Sequence, residues 1–176
     1  ENYLSENSIL QFYQAVGLSL LELEKFQELD QIINEIANTP NSNRTHQKRY
    51  LTLLRQFKKG DYIEAIKGFE DLDSANLYAL NKDIRRALSD AFHYWRAKSF
   101  LEIEDYQSAL KETFKFRAVN NQITGQTLFD QFWPKKYYLK GKAYEGLGDN
   151  INAIESYEDF LRVWSNADED LPEIVD

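Results

Sequence analysis

Cysteine is absent from the 176 residues, and histidine occurs twice, at His46 and His93. Thiolate nucleophiles, disulfides and thiolate metal sites are therefore outside this chain's chemistry. A histidine-based zinc site needs ligands at fixed helical spacing, and neither histidine sits in an HExxH-type pattern. His93 belongs to the aromatic run Phe92-His93-Tyr94-Trp95, which suits a core or boundary position. Among 29 acidic residues, Glu22/Glu24 and Glu102/Glu104 look like carboxylate pairs. They fall at matching places of two similar segments, which marks solvated, repeat-derived positions rather than an acid–base pair. Gly146-Leu147-Gly148 lacks the preceding strand and third glycine of a phosphate-binding fingerprint and reads as a turn. Asn43-Arg44-Thr45 is a glycosylation triplet of the kind that arises by chance. No nucleophile–base–orienter set emerges, so the chain is expected not to be an enzyme and to use neither metal nor cofactor.

Charge offers more for binding. Residues 44 to 60 carry Arg44, Lys48, Arg49, Arg55, Lys58 and Lys59 with no acid, whereas the first 43 residues carry seven acids and one base, Lys25. An acidic first segment packed on a basic second helix would account for this. Alternatively, Arg44, Lys48, Arg49, Arg55 and Lys58 form a docking face for an anionic partner. The net charge of −8 disfavours general nucleic-acid binding.

The elements that must position these residues are helices. Only 7 Gly and 3 Pro interrupt the chain, and scarcity of both breakers favours long helices. Hydrophobic residues make up 43% and include 11 Tyr, 11 Phe and 3 Trp, enough apolar surface to offset chain entropy. No stretch of about 18 apolar residues exists, so membrane insertion is not expected. The chain starts at Glu1 and contains no Met, which reads as a fragment of a longer protein. Its compartment stays open, with the cytoplasm preferred and an extracytoplasmic part of a membrane protein as the alternative.

Three segments repeat: Phe57 to Ile66, Leu101 to Leu110, and Glu145 to Ile154. Each reads as a helix end, a tight turn before Asp, then a helix carrying Ala65, Ala109 or Ala153, at a spacing of 44 residues. A weaker copy, Leu21 to Asp30, places Leu29 at the alanine position. Twelve residues upstream of these positions lie Gly17, Leu53, Ala97 and Gly141. Two antiparallel helices approach closely only where one side chain is small, and each pair must stack on a neighbour to bury its apolar face.

This pattern resembles the tetratricopeptide repeat (TPR), whose units pair a small residue and an aromatic in helix A with an alanine and an aromatic in helix B. The last unit fits best, through Gly141, Tyr144, Gly148-Asp149, Ala153 and Tyr157. Departures are Thr113 in the third unit, Leu53 and Gln56 in the second, and a period longer than the family's usual ~34 residues. The extra length falls at Asp71–Lys82 and Val119–Thr127, read as loops plus extended helices, with long helices over Asp83–Ile103 and Leu128–Leu147. The resemblance implies an all-α, right-handed α-α superhelix of about four hairpins, near 8–40, 45–73, 83–119 and 128–167, forming one repeat domain over residues 1–176. The ending, Tyr157 to Glu173, resembles TPR tails of bacterial signalling proteins that carry a Ser/Thr kinase, a cyclase or a winged-helix regulator.

In this family the first helices of successive units line a groove. The aligned rows are Gln14, Tyr50, Tyr94, Tyr138 and, one turn on, Leu18, Leu54, Lys98, Lys142. The resemblance implies a peptide-binding groove formed by Tyr50, Tyr94, Lys98, Tyr138 and Lys142, suited to a protein segment of acidic character. A competing reading packs the tyrosines between helices. Leu18, Leu21, Leu54 and Phe57 would need cover, for which an added segment of the same protein is a candidate. The function expected is a non-enzymatic protein- or peptide-binding scaffold, the regulatory or sensory module of a bacterial signalling protein. The alternative is a sensor holding a small anionic metabolite in a closed pocket.

Overall fold

The structure is a computed structural model that describes residues 15–38, 44–74, 82–116 and 132–163. All regular structure among these residues is helical, in eight helices. They are α1 (residues 15–22), α2 (Phe26–Asn38), α3 (Arg44–Lys58), α4 (Tyr62–Ser74), α5 (Lys82–Glu102), α6 (Tyr106–Thr113), α7 (Phe132–Gly146) and α8 (Asn150–Val163). None of the described helices is long and apolar enough to cross a membrane.

The repeat is written into the backbone of four turns. Glu24, Gly60, Glu104 and Gly148 follow the first helix of each pair and adopt left-handed φ values of 54°, 86°, 60° and 75°. One residue later, the amides of Lys25, Asp61, Asp105 and Asp149 donate to the carbonyls of Leu20, Gln56, Phe100 and Tyr144 at 2.9–3.0 Å. This is the Schellman closure, which satisfies carbonyls that a helix end would otherwise leave unpaired. The second helix then starts at once. Its first backbone bonds run from Leu29, Ala65, Ala109 and Ala153 to the carbonyls of Lys25, Asp61, Asp105 and Asp149, each at 3.0 Å. The Asp105 carboxylate accepts from the Ser108 amide at 3.1 Å, and that of Asp149 from the Asn152 amide at 3.2 Å, so the turn aspartates cap α6 and α8.

The chain divides into two compact units between Gly68 and Phe69, within α4. In the first, α2 packs on α3. Gly17 brings α1 against α3, since a side chain there would overlap Leu51, and Gly68 does the same for α4 against Leu53. Leu21, Leu29, Ile36, Leu51, Leu54 and Ala65 are buried here. In the second unit α6 packs on both α5 and α7, α5 on α7, and α7 on α8. Phe69 stacks on Phe92 at 6.2 Å, and Tyr94 lies 4.7 Å from Phe132. Each ring so buried contributes roughly 1.5–3 kcal/mol.

Within Asp71–Lys82, read above as loop plus extended helix, Asp71–Ser74 is the last turn of α4, where Leu72 is buried and the helix keeps its apolar period. The long helix expected over Asp83–Ile103 is α5, ending at Glu102. Residues 8–14, 39–40, 75–81, 117–131 and 164–167 of the expected hairpins and loops lie outside the described residues.

Candidate functional site

The aligned rows of the first helices separate by burial. Tyr50 and Tyr94 are buried, Tyr138 is half-buried, and Lys98 and Lys142 are half-buried. Lys98 holds its ammonium 5.8 Å from the Tyr94 ring and 5.7 Å from Trp95, so the buried aromatics support the lysine rather than facing outward themselves. One repeat later, Tyr138 lies 6.1 Å from Tyr157 and 5.8 Å from Phe160, and Lys142 lies 3.7 Å from Glu145. The Tyr157 hydroxyl donates to the same Glu145 carboxylate at 2.8 Å. Gln14 lies outside the described residues. Leu21, Leu54 and Phe57 are already buried, so they need no added segment to cover them.

The basic run is partly consumed inside its own unit. Arg55 pairs with Asp30 at 2.7 Å, Lys58 with Glu22 at 3.4 Å, and the Lys59 ammonium lies 5.6 Å over the Phe26 ring. Lys48 and Arg49 are exposed; the Arg44 side chain lies outside the description.

A buried polar cluster in the second unit went unread in the sequence. His93 Nδ1 lies 2.8 Å from the Glu112 carboxylate. The other oxygen of Glu112 accepts from Lys115 at 2.8 Å and pairs with the Arg96 guanidinium at 3.0 Å. On the far side of the ring, Nε2 lies 3.4 Å from the Ser89 hydroxyl, which itself donates to Asp73 at 2.8 Å. Arg96 also reaches Glu70 at 3.6 Å. The cluster thus ties α4, α5 and α6 together. Burial pushes the Glu112 carboxyl up. The hydrogen bonds from His93 and Lys115 and the charge of Arg96 outweigh burial and hold it below its ordinary value of 4.5. One signal existed in the sequence: Glu112 takes the repeat position held elsewhere by Gly68 and Ser156. A carboxylate where its counterparts are small and buried needs cations at hand.

Serine, histidine and a carboxylate in succession are also the parts of an acyl-transfer triad. Here the serine spends its single hydrogen on Asp73, and the carboxylate is shared with two cations, so the arrangement orients and neutralises charge. No group of three or more His, Asp or Glu that could hold a metal occurs among the described residues.

Burial also affects Lys136 on α7, lowering its pKa, and the neighbouring Lys140 adds to the effect against the pull of Asp90. Lys140 is flanked by two rings, Phe114 at 5.6 Å and Tyr144 at 5.5 Å.

No protein-family model, curated protein or solved structure matches this chain.

Proposed function

We propose that this chain is a non-enzymatic scaffold whose stacked helical hairpins bind a protein segment of acidic character. The observation that carries the reading is the recurrence of a half-buried lysine at one repeat position in two successive first helices, Lys98 on α5 and Lys142 on α7, which pack side by side. Two cations in register, one seated over buried aromatic rings, suit carboxylates spaced along an extended or helical peptide. Tyr138, half-buried beside them, supplies apolar area with a polar tip. Tyr94 acts as packing beneath such a surface. The superhelical stacking of TPR type and the setting in a bacterial signalling protein belong to this proposal. They are supported by the repeat and by the resemblance of the ending.

The test is a pull-down from lysate comparing the chain with a Lys98→Glu/Lys142→Glu variant. These positions are partly exposed, so the variant should keep its helical circular-dichroism signal. Proteins retained only by the unmutated chain are expected. Equal retention by both would end the assignment of this surface, and thermal-shift screening of anionic metabolites would then be the next step.

A further inference from the structure

Bases and acids divide between the last two helices. α7 carries Lys135, Lys136, Lys140 and Lys142, with Glu145 as its only acid. α8 carries Glu155, Glu158 and Asp159, and its one base, Arg162, pairs with Asp159. Residues 164–176 follow α8 and lie outside the described residues. They hold Asp168, Glu169, Asp170, Glu173 and Asp176 and no base. By charge, α8 repels this segment and α7 attracts it.

The hairpin brings the two together. Gly141 meets the Tyr157 ring, and Tyr138 lies 5.8 Å from Phe160. Three residues back along α7 match three forward along α8, so Val163, the end of α8, falls beside Lys135. From there Lys135, Tyr138 and Lys142 recur at spacings of three and four residues on one face of α7. Lys98 holds the repeat position of Lys142 on α5, which packs against α7. Lys142 is about 10 Å along the helix from Lys135, while 13 extended residues span on the order of 40 Å. The chain shows the same route once already. The stretch after α6 returns to α5, setting Phe132 at 4.7 Å from Tyr94. Tyr138 is the repeat equivalent of Tyr94, and the stretch after α8 carries Leu171, Ile174 and Val175 to set against it.

On the reading above, in which Lys98 and Lys142 take an acidic protein segment, we propose that residues 164–176 of the same chain occupy that surface and close it to other acidic segments. The acids meet Lys98 and Lys142, and the aliphatic side chains cover Tyr138. A partner then binds by displacement, against a tethered competitor whose effective concentration lies near the millimolar range.

Two measurements on the full 176-residue chain test this. The first is carbodiimide cross-linking, which joins a carboxylate to an amine, on an equal mixture of chains with light and heavy nitrogen, read by mass spectrometry. Bonds within one chain from Lys98 or Lys142 to acids of 164–176 are expected. Bonds to neither lysine, or bonds that join light chains to heavy ones, would overturn the proposal. Lys135 does not count, since it lies where the segment begins. The second is titration of a fluorescent oligoglutamate peptide, read by anisotropy at about 0.15 M salt, where screening confines charge effects to roughly 8 Å. A chain with Asp168→Asn, Glu169→Gln, Asp170→Asn, Glu173→Gln and Asp176→Asn is expected to bind roughly threefold or more tighter than the parent. A control of equal net charge carries Glu24→Gln, Glu28→Gln, Glu64→Gln, Glu155→Gln and Glu158→Gln, all at exposed positions, and should bind as the parent does. An equal gain in the control, or no gain in either, would overturn the closure. If Lys98→Glu/Lys142→Glu still abolished binding, the surface itself would stand. Binding indifferent to that pair, or absent from every chain, would end both readings.

Discussion

At the scale of single residues, the four turns show what a backbone conformation requires. Gly60 and Gly148 adopt left-handed φ at little cost, whereas Glu24 and Glu104 hold the same geometry with a side chain attached. A β-carbon in that region costs about 1 kcal/mol. Glu104→Gly is therefore expected to raise the stability of the second unit by something under ~1 kcal/mol, after the entropy that glycine adds to the unfolded chain. Urea titration followed by far-ultraviolet circular dichroism would show it, and a lowered midpoint would mean that the Glu104 side chain makes a compensating interaction. The sequence pattern already pointed here, since Gly-Asp in two copies aligns with Glu-Asp in a third and only geometry explains why glycine is preferred.

At the scale of elements, close approach of paired helices depends on missing side chains. A β-carbon on Gly141 would fall well inside 3.0 Å of the Tyr157 ring, so α7 and α8 touch at that point only because the residue is glycine. Two effects compete in Gly141→Ala: the helix gains about 1 kcal/mol of propensity, while overpacking costs ~1–3 kcal/mol. The ring is backed by Tyr138 and tied to Glu145, so overpacking should prevail. Combining the change with Tyr157→Ser removes the obstruction, and Gly141→Ala is then expected to stabilise. A double-mutant cycle read by chemical unfolding should give a coupling of roughly 1–3 kcal/mol, and additivity of the two changes would show that the ring simply moves aside.

At the scale of the molecule, each compact unit has its own way of placing charge. The first neutralises a basic helix with acids that precede it in the chain, through Arg55–Asp30 and Lys58–Glu22. The second buries its charges in the cluster around Glu112, which is only 3% exposed. Because the folded carboxyl titrates below its ordinary value of 4.5, the stability it contributes is present above that value and is lost as pH falls through the folded one. Glu112→Gln should destabilise the second unit by on the order of 3 kcal/mol at neutral pH, since Arg96, Lys115 and His93 would then face a neutral amide. It should also remove the acid-limb loss that Glu112 contributes. Thermal unfolding of both proteins from pH 7 down to pH 3 measures this, and parallel acid limbs would assign the acid sensitivity to other carboxylates.

The all-helical class, the positions of the turns and the alanines that open three of the four second helices were legible in the sequence because they are local. Helical period, breaker placement and the recurrence of Asp after the turn depend on neighbours within a few residues, and the backbone hydrogen bonds of the turns follow them. Pairing of the basic run with preceding acids was legible as one of two options, for opposite charge in adjacent segments is visible without coordinates. Burial of Tyr50 and Tyr94 was decided only by tertiary structure, since a tyrosine row at helical spacing suits a groove and a packed seam equally well. Convergence of Asp73, Ser89, His93, Arg96 and Glu112 required three helices to meet, and no spacing along the chain encodes that. The same holds for Leu110 and Ile154, equivalent in the repeat yet half-buried on α6 and exposed on α8.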